Sequence, residues 1–248
     1  MDNYSFGSKP DFYKLSLLWQ LERSRIRIGA ASLLTEPLTF IRDRNWHRQH
    51  HYLTEGNIRP ENEAVFDFLH RKIITENIDD VRCLAERKAP MLLRRTRFCF
   101  AAYGIGSAER RTYFDNLVTD RRMRQRHLLF FDPNSGFKTA LRSANPPADY
   151  LDFDDFRRAG EAFPESSLLV NNPYRAPVLD EQGAPTGSFP MHTRIANRLK
   201  FMLTAADKLY LLHSPFNSYY LILRPPAGAA ERILAACRRA KLKLFRCR

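Results

Sequence analysis

Apolar residues along the chain recur with two spacings, one typical of helices and one typical of buried strands. The helical spacing predicts helices over residues 10–21, 60–74, 108–125, 153–163, 192–206 and 229–240. Short apolar runs predict strands over residues 26–34, 97–103, 128–131 and 167–170. Two more runs, 209–212 and 219–223, flank the turn Ser214-Pro215-Phe216-Asn217 and predict a β-hairpin.

The order of these segments indicates the fold class. Alternating strands and helices favour an α/β protein with a mostly parallel, Rossmann-like sheet covered on both faces and closed here by the C-terminal antiparallel hairpin. We expect a single domain over residues 1–248, since a chain of this length can bury one substantial core. Residues 35–80 begin polar and irregular before the helical spacing returns, so we interpret them as a helical insertion.

The apolar run 128–131 stops at the stretch Asp132-Pro133-Asn134-Ser135-Gly136. The run lacks polar alternation, which is typical of a strand buried on both faces. The Asp132 carboxylate would then lie at the carboxyl end of the strand, where open α/β sheets bind their ligands. Pro133 keeps the residue before it extended, and Gly136 permits a positive φ. The alternative is an ordinary turn whose residues need no function.

The chain is strongly basic, with 40 Lys and Arg against 27 Asp and Glu and a formal net charge of +13. Arginine outnumbers lysine, which favours bidentate phosphate contacts over a merely solvated face. The basic clusters are Arg94, Arg95, Arg97; then Arg110, Arg111, Arg121, Arg122, Arg124, Arg126; and finally Arg238, Arg239, Lys241, Lys243, Arg246, Arg248. We expect nucleic acid, RNA or DNA, as the partner, with a soluble basic surface or an acidic protein partner as the alternative.

The sequence also bears on location. No apolar stretch approaches the ~20 residues of a membrane span, and the N-terminus shows neither a basic nor an apolar leader segment. We therefore expect no membrane association. The four cysteines include no Cys-x-x-Cys pair, and reduced thiols in a cytoplasmic protein are the simplest interpretation.

Two motifs carry a resemblance to known families. Residues 6–15, Phe-Gly-Ser-Lys-Pro-Asp-Phe-Tyr-Lys-Leu, and residues 131–136, Phe-Asp-Pro-Asn-Ser-Gly, resemble an uncharacterised bacterial and phage family with a Gly-Asp-x-x-Lys-type helix and a Phe-Asp-Pro-Asp-Asn-Gly motif. The order of elements is similar to that of class I S-adenosylmethionine-dependent methyltransferases. Both motifs also resemble those of ribosomal RNA adenine-N6 methyltransferases, which carry an Asp-x-x-Lys helix and an Asp-Pro-Pro-Tyr motif. The resemblance implies a methyltransferase-like fold with S-adenosylmethionine as cofactor.

The same resemblance implies roles for individual residues. Lys14 would approach the carboxylate end of the cofactor, with Asp11 one turn earlier on the same helix face. Asp132 would accept a hydrogen bond from the exocyclic amine of an adenine in RNA or DNA, Pro133 would help to hold the loop, and Asn134 belongs to the same catalytic motif. The other candidates are Gly29 and Glu36 for the cofactor and Tyr174, Arg121, Arg122 and Arg124 for the substrate.

Other functions stay open. Adenine methyltransferases place a glycine-rich loop after the first strand, whereas residues 27–31, Arg-Ile-Gly-Ala-Ala, carry one glycine inside the strand. This favours the alternative of a catalytically degenerate subunit that binds nucleic acid, for example in a phage-defence complex with protein partners. A nuclease that uses Asp132, Lys138 and the aspartates of 152–155 is a third interpretation. The histidines of residues 46–51 lack accompanying ligands, so we expect no metal site.

Overall fold

The structure is a computed structural model. It describes residues 6–34, 50–78, 80–86, 92–103, 106–133, 136–138, 150–172, 178–179, 185–186, 189–224 and 228–247. The α-helices are α1 (Lys9–Arg23), α2 (residues 50–55), α3 (Glu63–Leu69), α4 (Ser107–Thr119), α5 (Arg121–Arg124), α6 (Phe153–Ala162), α7 (Phe189–Lys200) and α8 (Ala229–Arg239). The strands are β1 (Ile28–Leu34), β2 (Thr96–Tyr103), β3 (Leu128–Asp132), β4 (Ser167–Asn172), β5 (Val178–Leu179), β6 (Pro185–Thr186), β7 (Lys208–His213), β8 (Ser218–Leu223) and β9 (Lys243–Arg246).

Seven of the strands form one sheet in the order β2-β1-β3-β4-β8-β7-β9, and β5 pairs with β6 separately. The β2–β1, β1–β3 and β3–β4 pairs are parallel. The β4–β8, β8–β7 and β7–β9 pairs are antiparallel. The prediction of a mostly parallel, Rossmann-like sheet is therefore wrong, and the protein has a mixed α/β fold.

The antiparallel arrangement of β7 and β8 follows from their short connection. Only Ser214–Asn217 separates β7 from β8, whereas a parallel pair needs a crossover of a dozen or more residues. The turn is closed by the Ser214 amide, which donates to the Asn217 carbonyl at 2.8 Å. β9 then adds to the free side of β7, where Leu244 pairs with Leu212. The hairpin expected from the sequence is thus present, but it is one part of a larger antiparallel unit.

Alternate residues of β3 pack into two apolar clusters, one on each face of the sheet. Leu128 and Phe130 belong to the cluster that α1, α3 and α8 cover. Leu129 and Phe131 belong to the cluster that α4, α6 and α7 cover. All residues of β3 are buried, as the lack of polar alternation in 128–131 predicted.

The described part of the 35–80 segment is mainly helical. It consists of α2, a 3₁₀ turn (Arg59–Glu61), α3 and a π-helical turn (His70–Thr75). Tyr52 and Val65 from this segment pack in the same apolar cluster as Phe12 of α1. Within the residues that the structure describes, no helix is long and apolar enough to cross a membrane.

Candidate functional site

Strand β1 has a parallel neighbour on each side, β2 on one and β3 on the other. The strand order therefore reverses at β1. Open α/β sheets bind ligands in the crevice at the carboxyl ends of the strands beside such a reversal. Asp132, the last residue of β3, lies at this end of the sheet and pairs with Ser32 of β1. Its side chain is fully buried. The sequence prediction for the position of Asp132 at a strand end is therefore confirmed.

Helix α1 brings a lysine to this carboxylate. The Lys14 Nζ donates to Oδ2 of Asp132 at 3.1 Å and to Oδ1 of Asp11 at 3.0 Å. Asp11 and Lys14 are three residues apart and so lie on one face of the helix. The other oxygen of Asp11, Oδ2, accepts a hydrogen bond from the Gly7 amide at 3.1 Å. The Gly7 carbonyl in turn accepts a hydrogen bond from the Tyr52 hydroxyl at 2.6 Å, which ties the start of α1 to α2.

The neighbouring strand β4 contributes an amide. Val170 pairs with Phe131, so the residue that follows, Asn171, lies at the same edge as Asp132. The Asn171 Nδ2 donates to Oδ1 of Asp132 at 2.8 Å. Asp11, Lys14, Asp132 and Asn171 are all at most 5% exposed. These four side chains are called the Lys14 cluster below.

The charges of the Lys14 cluster shift one another's pKa values. Burial alone would raise the pKa of Asp132, but the Lys14 ammonium and the Asn171 amide outweigh it and the pKa is lowered. The pKa of Asp11 is raised, because burial exceeds the effect of Lys14 there. Burial would lower the pKa of Lys14, yet the two carboxylates raise it. One ammonium therefore sits between two carboxylates, and the ionised form is favoured at Asp132.

Two adjacent asparagines leave polar atoms without hydrogen-bond partners at this edge. The Oδ1 of Asn171 and both polar side-chain atoms of Asn172 are buried and unpartnered. Asn172 is 0% exposed. Gly136, with φ of +74°, lies against it so closely that a Cβ would overlap the Asn172 amide oxygen. Buried polar atoms without partners carry a free-energy cost of about 1–3 kcal/mol each, which a polar ligand would relieve.

A histidine pair lies at the same edge, and the sequence analysis missed it. His213 ends β7 and Ser218 begins β8; Ser218 also pairs with Asn172 of β4. The His213 Nδ1 lies 3.0 Å from Ser218 Oγ, and the His192 Nδ1 lies 2.6 Å from the Tyr220 hydroxyl. Burial, and then the neighbouring His192, lower the pKa of His213 to about 4. The sequence did contain one signal for this contact, because His213 and Ser218 flank the predicted turn and a hairpin pairs such residues.

Among the other sequence-predicted residues that the structure describes, only Pro133 adjoins the Lys14 cluster. Pro133 is buried directly after Asp132. Asn134, Glu36 and Tyr174 lie outside the described residues. Gly29 lies near the amino end of β1, away from the Lys14 cluster, and a Cβ there would overlap Met123. Arg121, Arg122 and Arg124 are exposed on α5, which precedes the amino end of β3.

The residues considered for a nuclease are organised around an arginine. The Arg110 Nε donates to Asp155 Oδ2 at 2.8 Å and lies 3.6 Å from Asp152. Lys138 lies 3.8 Å from Asp152, while Asp132 belongs to the separate Lys14 cluster. Among the described residues, no group of three or more His, Cys, Asp or Glu side chains could hold a metal ion. These aspartates therefore neutralise Arg110.

Comparisons with known proteins provide little beyond this geometry. No protein-family model matches the chain, and no curated protein matches it. One similar solved structure is that of protein LPL1258 from Legionella pneumophila str. Philadelphia 1, of the family DUF519. The two share 9% sequence identity with a TM-score of 0.44, over 97% of this chain and 96% of that chain. A similarity this low carries no argument about the function of this protein.

Proposed function

We propose that this protein is an S-adenosylmethionine-dependent methyltransferase that modifies an adenine in RNA or DNA. The observation that supports the proposal best is the Lys14 cluster. It presents an ionised aspartate, Asp132, at the carboxyl end of a central strand and beside two asparagines that carry unpartnered polar atoms. A carboxylate in this position can accept a hydrogen bond from an exocyclic amine and orient the nitrogen.

Orientation is the main contribution that such a reaction needs from the protein. S-adenosylmethionine supplies an already reactive methyl group on a sulfonium centre. The protein residues then gain most by aligning the attacking amine and excluding water. In this proposal Asp132 accepts a hydrogen bond from the amine, and Lys14 and Asn171 hold the Asp132 carboxylate in place through its two oxygens.

The residues present fit one end of the cofactor. Lys14 can bind a carboxylate, and the unpartnered atoms of Asn171 and Asn172 can bind polar groups of the amino-acid end or of the base. Acidic residues that bind a cofactor ribose usually follow the second strand of such sheets. The residues that directly follow β1 and β2, 35–49 and 104–105, lie outside the described residues.

A second candidate is a nucleic-acid-binding subunit that has lost transfer activity and acts with a protein partner. Two observations favour it. Lys14 is already ion-paired with both Asp11 and Asp132, so a cofactor carboxylate would have to compete for it. The carboxyl end of β1, Ser32-Leu33-Leu34, also has no glycine to let a cofactor approach the backbone. In either role we expect the protein to work in the cytoplasm, where its four unpaired cysteine thiols stay reduced.

Calorimetric titration with S-adenosylmethionine separates the two candidates. The methyltransferase is expected to bind it and to transfer a labelled methyl group to adenine-containing RNA or DNA oligonucleotides. Asp132→Asn is then expected to lose transfer while it retains cofactor affinity, because the contact of Asp132 is to the amine. Asp154→Asn, an exposed aspartate on α6, is the matched control and should remain active.

Two results would overturn the proposal. No binding of S-adenosylmethionine by the wild-type protein would remove the methyltransferase and leave the binding subunit. Full transfer by Asp132→Asn would remove Asp132 from the reaction.

A further inference from the structure

Nine arginines lie at the amino ends of three neighbouring strands, β2, β1 and β3, on the edge of the sheet opposite Asp132. They are Arg25, Arg27, Arg94, Arg95, Arg97, Arg121, Arg122, Arg124 and Arg126. All except Arg97 and Arg126 are exposed. We call these nine residues the arginine edge. The three strands are adjacent in the sheet and so bring together residues that are about 100 positions apart in the chain.

Most guanidinium groups of the arginine edge have no carboxylate partner among the residues that the structure describes. Among the described residues, Arg122 with Asp120 is the one ion pair in the set. The nearby Glu22 carboxylate accepts hydrogen bonds from the backbone amides of Arg94 and Arg95 at 2.9 and 2.8 Å instead. Some arginines elsewhere do pair with carboxylates, namely Arg59, Arg110, Arg157, Arg158 and Arg224. Among the described residues, two carboxylates, Asp120 and Glu22, lie beside the nine arginines, so the arginine edge keeps a net positive charge.

Two clefts open between these side chains. One, of about 450 Å³, is lined by Arg94, Arg95, Arg97 and Arg126. The other, of about 390 Å³, is lined by four arginines, one carboxylate and two apolar residues: Arg23, Arg25, Arg94, Arg95, Glu22, Trp19 and Leu92. Burial and the charges of Arg27 and Arg97 lower the pKa of Arg126, which is the expected effect of crowded cations. An anion in these clefts would relieve that repulsion.

The chemistry of the arginine edge favours a nucleic acid over other anionic partners. It contains arginine and no lysine, and the planar guanidinium matches the oxygens of a phosphate in a bidentate fashion. A membrane surface would also call for exposed apolar side chains. The large apolar residues exposed in the described part of the chain, Phe201 and Phe216, are not on the arginine edge.

We propose that the arginine edge binds the phosphate backbone of a nucleic acid, on the side of the sheet away from the Asp132 site. From Leu128 to Asp132, β3 separates the two edges by about 13 Å at ~3.3 Å per residue. Binding at the arginine edge needs neither a cofactor nor Asp132, so the inference goes beyond the proposed function and shares with it only the class of partner.

Fluorescence anisotropy of a labelled 20-base-pair RNA or DNA duplex, over a series of salt concentrations, tests this inference. Arg94→Gln, Arg95→Gln and Arg124→Gln are combined in one variant. Each phosphate contact contributes about 0.9 to the slope of log K against log salt for B-DNA, so we expect the slope for DNA to fall by roughly 2–3. Affinity at low salt should fall on the order of tenfold or more for both duplexes. The matched control combines Arg59→Gln, Arg157→Gln and Arg194→Gln, which remove the same charge from exposed positions elsewhere.

Several outcomes would overturn the inference. The wild-type protein could fail to bind either duplex at low salt. The control variant could lose as much affinity as the test variant. Polyglutamate or phosphatidylserine vesicles could also compete as effectively as RNA. A wild-type protein that ignores S-adenosylmethionine but binds the duplexes through Arg94, Arg95 and Arg124 would refute the methyltransferase and support the arginine edge.

Discussion

Replacing Lys14 with methionine tests the Lys14 cluster most directly. The change keeps a long side chain and removes the ammonium that bridges two buried carboxylates. Asp11 and Asp132 accept hydrogen bonds from Lys14 at 3.0 and 3.1 Å. Removal of one partner from a buried ion pair costs roughly 3–5 kcal/mol of unfolding free energy. For 248 residues this corresponds to a Tm that is lower by about 6–10 °C, at about 2 °C per kcal/mol.

The loss is expected to depend on pH. In the wild type the pKa of Asp132 is lowered, so its stabilising contribution is present above the unfolded value of about 3.9 and is lost as pH falls through the folded value. In Lys14→Met, Asp11 and Asp132 have no cation, and burial raises both pKa values. Protonation then relieves their repulsion. The variant should therefore regain stability relative to the wild type as pH falls from 7 towards 4.

Urea unfolding at pH 7 and pH 4.5, followed by tryptophan fluorescence, measures both effects. Trp19 lies on the same helix as Lys14 and reports on its release. Lys208→Met removes an exposed lysine at the start of β7 and should change the unfolding free energy by no more than about 0.5 kcal/mol. If Lys14→Met matched this control at pH 7, or lost equal stability at both pH values, the account of the Lys14 cluster would be refuted.

Three further predictions concern other parts of the molecule. Gly136 has a φ of +74° and lies against Asn172, whereas Gly56 has a φ of +71° and open space around it. Urea titration should therefore show a larger loss of unfolding free energy for Gly136→Ala than for Gly56→Ala. Equal losses would exclude the overlap with Asn172. The pKa of His213 is lowered to about 4, so NMR titration should show it neutral at pH 5, and stability should fall as pH drops from about 6.5 to about 4. Burial raises the pKa of the Cys83 and Cys237 thiols to about 12, so a thiol reagent at pH 8 should modify them only after unfolding; rapid labelling of the folded protein would contradict this.

The local elements were largely predictable, since their signals lie within a few residues. The apolar run 128–131 gave β3, and the helical spacing of 10–21 gave α1. The predicted helix 108–125 is instead divided at Asp120. There the backbone leaves the helical region, and the side chain accepts a hydrogen bond from the Arg122 amide at 2.9 Å. An aspartate that competes for backbone amides can end one helix and begin another, and the spacing of apolar residues does not reveal it.

Contacts between distant residues were beyond the sequence. Lys14 and Asp132 are 118 positions apart, and the sequence predicted each at its own element without their ion pair. The direction of the strands was also hidden, because buried parallel and antiparallel strands share the same apolar composition. β9 gave no signal, since only Leu244 and Phe245 of its four residues are apolar and the strand is half-exposed. The sequence therefore indicated where Asp132 would lie, but not what would bind it.

Helix α1 acts as a rod between the two edges of the sheet. Its 15 residues correspond to a length of about 22 Å. In its first half Lys14 forms an ion pair with Asp132. Near its end both carboxylate oxygens of Glu22 accept hydrogen bonds from the backbone amides of Arg94 and Arg95. A shift of the loop that contains Arg94 and Arg95 must either break the Glu22 hydrogen bonds or move the whole helix along its axis. Helix α1 thus links the loop of Arg94 and Arg95 to the buried Asp132.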